Sequence, residues 1–159
     1  MTVANTFSRA DWPRLLCALP AADVRQVAAD LTQELSVEDL MLPQSGLGLL
    51  QLCDGALAES YYLGEIPIAR AHVRLTSPDG QTGEGAAQLL DDRAGLARAI
   101  AIIDAARAAR LAGWERTESL LQQGVRCIAE MESARRAILT ATRVDFSLLG
   151  HSDEDEDDA

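Results

Sequence analysis

The chain has 159 residues, room for one domain that buries roughly two thirds of the surface its unfolded form exposes. All 14 basic residues are Arg, which excludes Schiff-base chemistry and the phosphate-loop lysine. The formal charge of −11 is concentrated at the end, in Asp153, Glu154, Asp155, Glu156, Asp157 and Asp158; without these six, 19 acids face 14 arginines, and no basic footprint for nucleic acid or an anionic membrane remains.

In chain order, Ser8 or Asp11 is placed to cap a first helix in which Trp12, Leu15, Leu16 and Leu19 form one apolar stripe, with Pro13 in its first turn. Pro20 opens a second helix, where Val24, Val27, Ala28, Leu31 and Leu35 repeat that spacing. From Val37 the pattern changes. Pro43, Gly46, Gly48, Asp54-Gly55, Gly64, Pro67 and Asp79-Gly80 punctuate segments too short for typical helices, which predicts a small antiparallel sheet. Residues 47–53 are apolar on both faces, as in a covered strand. Residues 57–63 follow after a turn at Asp54-Gly55, and Gly64-Glu65 is read as a further turn. In the next strand Ala69, Ala71, Val73 and Leu75 point one way and Arg70, His72 and Arg74 the other. Residues 82–90 add a last strand, weakened by Gly83 and Gly85.

After Asp91-Asp92 the period turns helical, with Leu96, Ala99, Ile100, Ile103 and Ala106 as the buried stripe, Arg107 and Arg110 near the end and Gly113 to stop it. A final long helix carries Cys127, Met131, Ala134, Ile138 and Ala141 as a seam that wants another helix or the sheet, with Gly124 placed to interrupt its first turns. The predicted class is therefore α+β: a small antiparallel β-sheet flanked by two N-terminal helices and two longer C-terminal helices. Residues 1–150 make the domain, and 151–159 an acidic tail expected to be disordered, solvating the chain or docking on a basic partner. The N-terminus lacks a basic start followed by an apolar run, and no 18 apolar residues are consecutive, so a cytoplasmic, non-membrane protein is expected.

Catalytic groups are scarce. Cys17, Cys53 and Cys127 have neither zinc nor disulfide spacing and read as buried small hydrophobes. His72 and His151 are far apart, no helical His pair starts a metal site, and no Gly-x-Ser-x-Gly elbow surrounds a serine. The glycines of GLGLL, residues 46–50, and GQTGEG, residues 80–85, fit no phosphate-cradle spacing and read as strand or turn. The Arg70, His72 and Arg74 face has three readings: a solvated sheet face, a protein interface or an anion contact.

The run SGLGLLQLCDGALAESYYLGEIPIARAHVRL, residues 45–75, together with TRVDFSLLG, residues 142–150, resembles the PhnG subunit family of the bacterial carbon-phosphorus lyase core complex. The resemblance covers about residues 8–150 and leaves out the acidic tail. It implies an accessory chain that assembles with PhnH-, PhnI- and PhnJ-type subunits, two copies of each, and that has no catalytic residue, metal or cofactor of its own. The complex it implies uses MgATP and a phosphonate, displaces adenine from ribose and leaves a ribose 1-phosphonate 5-triphosphate; the radical cleavage that follows belongs to the PhnJ type. Interface or anion-contact candidates are Tyr61, Tyr62, Arg70, His72, Arg74, Arg143, Asp145 and Phe146. The rival readings are an independent small phosphonucleotide-binding enzyme with Arg70, His72 and Arg74 as its clamp, and a scaffold unrelated to phosphonates.

Overall fold

A computed structural model describes residues 8–142. Ser8 donates its N–H and hydroxyl to Asp11 Oδ2 at 3.1 and 2.7 Å, closing a single 3-10 turn at Arg9–Asp11 that feeds α1, Trp12–Cys17, with Pro13 in the first turn, where its missing N–H costs nothing. Pro20 caps α2, Ala21–Leu31. Trp12, Leu15, Leu16, Val24, Ala28, Leu31 and Leu35 are buried, and Leu19 and Val27 pack against them, so both predicted stripes face the core.

The sheet has three antiparallel strands in the order β1-β2-β3, with β1 at Ser36–Cys53, β2 at Ser60–Thr76 and β3 at Thr82–Leu89. Two expected breaks are absent. Pro43 falls inside a register irregularity between Met41 and Gln44, where no regular ladder is interrupted. Gly64 does not turn the chain: with φ at +138° it sits in a bulge opposite Leu50 and Gln51, and β2 runs through it. What reads as several short strands is one hairpin of two long ones.

Ala69, Ala71, Val73 and Leu75 are fully buried beneath α3, Ala94–Ala108. This helix is buried over most of its circumference, from Leu96 to Ala106 apart from Arg98, because the sheet lies on one side and α2 on another. Gly83 and Gly85 strengthen this packing and do not weaken the strand. A Cβ on Gly85 would lie 2.2 Å from the Ala101 oxygen and 2.3 Å from the Ala105 nitrogen, so bare backbone on β3 and Ala on α3 let the layers touch. The helix ends before Gly113, with Ala109 as its C-cap, and Arg110 takes the left-handed conformation at φ +51°.

The last helix, α4, runs from Arg116 to Ala141 without a break at Gly124. That glycine instead marks a close crossing, since a Cβ there would meet the Leu15 carbonyl oxygen at 2.4 Å. Among the described residues only the first half of α4 is buried, through its Thr117, Leu120, Leu121 and Gly124. The predicted seam is not its buried line: Met131, Ala134, Ile138 and Ala141 are exposed and Cys127 is half-buried. Cys53 also departs from expectation, being exposed.

Side-chain pairs lock the layers. Arg98 grips Asp39 at 2.7 and 3.1 Å, joining α3 to β1. Arg9 holds the buried Asp104 carboxylate at 2.7 and 2.8 Å. Arg107 lies over the Trp12 and Trp114 rings, 5.0 and 5.7 Å from their centroids, and hydrogen-bonds Thr117 and Glu118. The edge of β3 is closed by two of these groups: the Glu84 carbonyl accepts from Arg9 at 3.0 Å, and the Ala86 N–H donates to Asp104 at 3.1 Å. Side chains that occupy two of its outward backbone groups make this edge a poorer template for another strand.

Candidate functional site

β3 ends opposite Ala69, through the Ala69↔Leu89 pair, but β1 and β2 continue pairing from Ser45↔Ala69 to Cys53↔Ser60. The extension is a two-stranded arm roughly 30 Å long. No described strand pairs with its outer edges. Pro67 is tolerated here because β2 has become an edge strand.

Alternation along the strands assigns the two faces of the arm. One continues the core-facing side of the sheet and carries Leu47, Leu49, Glu65, Pro67 and, beyond the bulge, Tyr62. Leu47 is 69% exposed, Leu49 67% and Tyr62 63%. The opposite face carries Leu50, Leu52, Tyr61, Ile66 and Ile68; Ile68 lies over Gly48, and Leu50, Ile66 and Ile68 are half-buried. The two tyrosines, adjacent in sequence, therefore serve opposite faces. At the tip Asp54 Oδ1 accepts the N–H groups of Ala56 and Leu57 at 2.6 and 2.9 Å, which holds its carboxyl below the usual range, and Leu57 stands exposed. Of residues 47–53, Leu47, Leu49, Gln51, Leu52 and Cys53 are exposed and Gly48 and Leu50 half-buried. Exposed apolar surface of this extent marks interaction sites on proteins in general.

Arg70, His72 and Arg74 share the uncovered face of the sheet body, as the alternation predicts. Acids meet them there. Arg74 donates to Glu84 at 2.7 and 3.0 Å and to Glu38 at 3.1 Å, its cross-strand partners in register, and His72 Nε2 lies 3.4 Å from Glu84. The Arg74 hydrogen bonds hold the Glu84 carboxyl below its usual pKa, and Glu84 raises that of Arg74 in return. Arg70 sits in register between Gln44 and Gln88. A guanidinium whose fork is already filled by carboxylates is a poor clamp for a triphosphate arriving from solution.

Two more surfaces lie on the helices. The second half of α4 exposes Met131, Ile138 and Leu139. At its start, a groove of about 470 Å³ between α1 and α4 is lined by Arg14, Cys17, Ile128, Met131 and Arg135. Arg143, Asp145, Phe146 and the acidic tail lie outside the described residues. Among the described residues no three His, Cys, Asp or Glu side chains converge as a metal site, and no helix is long and apolar enough to cross a membrane.

These features define a two-layer α+β protein with a projecting apolar arm and a half-covered terminal helix. The model of the family described as Phosphonate metabolism protein PhnG matches residues 7–150, and the chain belongs to that family. Its role is accordingly in phosphonate metabolism. No curated protein matches the chain.

Proposed function

We propose that this chain is a non-catalytic subunit of the carbon-phosphorus lyase core complex, acting in the cytoplasm and bound to PhnH-, PhnI- and PhnJ-type partners in a symmetric hetero-oligomer. The complex would use MgATP and a phosphonate, the phosphonate displacing adenine from ribose to give ribose 1-phosphonate 5-triphosphate. The observation that carries the reading is the arm, whose apolar faces Leu47, Leu49, Leu52, Tyr61 and Tyr62 leave in solvent. An isolated two-stranded ribbon is marginal in water, and burying such residues in a partner recovers roughly 25 cal/mol per Å² of apolar surface.

The filling of the Arg74 fork by Glu84 and Glu38 supports a reading in which the partners, and not this chain, bind MgATP. The test is co-expression of the tagged chain with the PhnH-, PhnI- and PhnJ-type proteins of its own organism, followed by mass determination of what co-purifies. Two copies of each chain are expected. Recovery of the lone chain, with nucleotide binding by it, would replace this reading by an independent phosphonucleotide-binding enzyme.

A further inference from the structure

In the body of the molecule α3 lies over the sheet face built from Ala69, Ala71, Val73, Leu75, Ala87 and Leu89. The same face continues into the arm through Pro67, Leu47, Leu49 and Tyr62, but α3 begins at Ala94, after a short turn from the end of β3, and cannot cover it. Among the described residues no helix lies over this face of the arm, which presents the apolar half of a sheet-helix sandwich. Its charges are one-sided: from residue 44 to residue 69 there are three acids, Asp54, Glu59 and Glu65, and no basic residue. Glu65 stands on the same face, directly across from Leu49. Any helix laid there desolvates this carboxylate, which is costly unless a cation meets it.

We propose, resting on the subunit reading above, that this face of the arm takes an amphipathic helix of a partner protein, with an apolar stripe flanked by Arg or Lys, one of which pairs with Glu65. Charge decides against a second copy of this chain as the occupant. Each copy carries a formal charge of −11. Two copies therefore repel each other through their net charge, which opposes self-association.

The test uses the full chain co-expressed with the PhnH-, PhnI- and PhnJ-type proteins. Leu49→Asp and Glu65→Arg should each cut recovery of the complex by about tenfold or more, while urea unfolding of each isolated variant stays at the wild-type midpoint. A photo-crosslinking amino acid in place of Tyr62 should join the chain to a basic-flanked apolar helix of one partner, located by mass spectrometry. Unchanged recovery for both variants, with wild type assembling normally, overturns the inference and leaves the subunit reading intact. A wild type that recovers no partner overturns both. Crosslinks to a strand, or an isolated chain that is dimeric by light scattering and made monomeric by Leu49→Asp, overturn it in favour of strand addition or self-association.

Discussion

Strands β1 and β2 run from the body into the arm, and the alternation that buries Ala69, Ala71, Val73 and Leu75 under α3 carries Leu47, Leu49 and Tyr62 into the open. In the body, several exposed liabilities of the sheet are answered within the chain. Arg9 and Asp104 close the β3 edge, Glu38 and Glu84 neutralise Arg74, and Gly83 and Gly85 admit α3 to touching distance. In the arm none of these devices is repeated among the described residues. The difference places stability in one half of the hairpin and leaves the other half free for recognition, so substitutions should separate the two.

The sharpest separation comes from Gly85→Val. The added side chain would enter the backbone of α3 at Ala101 and Ala105, where no flexible atom can yield, and the isolated chain should lose about 3 kcal/mol or more or fail to fold. Urea unfolding followed by circular dichroism measures this; a shift under about 1 kcal/mol would mean that the layers are looser than the geometry requires. A smaller loss is expected for Asp104→Ala. The substitution strands Arg9 and leaves the Ala86 N–H unpaired at the sheet edge, a cost of about 2 kcal/mol for charge-assisted hydrogen bonds. It should also speed hydrogen exchange at Ala86 ahead of its neighbours.

Much of the body was legible in advance because its signals are local. The stripes of α1 and α2 and the alternation from Ala69 to Leu75 each repeat within one element, and all three face the core as expected. The unread features depend on distant residues. Glu38 and Glu84, which fill the Arg74 fork, lie 36 and 10 residues from it. The role of Gly85 requires Ala101 and Ala105 across the layer. Gly64 carries the signature of a turn, yet its positive φ serves a bulge within a continuous strand. The apolar run at 47–53 carries the pattern of a covered strand, yet Leu47, Leu49 and Leu52 are exposed among the described residues, because an apolar run does not tell whether its own chain supplies the cover. The same holds for Met131 and Ile138 in α4. For Tyr61, Tyr62, Arg70, His72 and Arg74, sequence located the residues and their faces without distinguishing an open cation from a paired one.

Acid probes the junction of the two halves. Asp91 accepts the Arg93 backbone N–H at 2.8 Å and pairs with its guanidinium, first with Nε at 2.8 Å, at the turn where β3 gives way to α3. These bonds lower its pKa from 3.8 to about 2. A carboxylate with a depressed folded pKa contributes stability that is fully present above its ordinary pKa and is lost as pH falls through the folded one. The contribution should therefore fade between about pH 4 and pH 2, and be reduced by salt because the pair is exposed. Wild type and Asp91→Asn, compared by urea midpoint at pH 5 and again at pH 2, should differ at the first and converge at the second. A constant gap would assign the effect of the substitution to something other than the ionised pair.

The smallest effect is the most informative about the arm. Leu49→Ala removes a large apolar side chain, and in the core an equivalent truncation such as Leu16→Ala costs about 2–5 kcal/mol, because it forfeits buried contacts and leaves a cavity. Leu49 is 67% exposed whereas Leu16 is fully buried. With little area removed from water on folding and no cavity to leave, Leu49→Ala should shift the stability of the isolated chain by no more than about 0.5 kcal/mol. The two truncations measured side by side by urea unfolding test whether the arm is uncovered in solution. A loss at Leu49 approaching that at Leu16 would require the arm to be packed against something in the free protein, and the division between a self-sufficient body and an outward-facing arm would no longer hold.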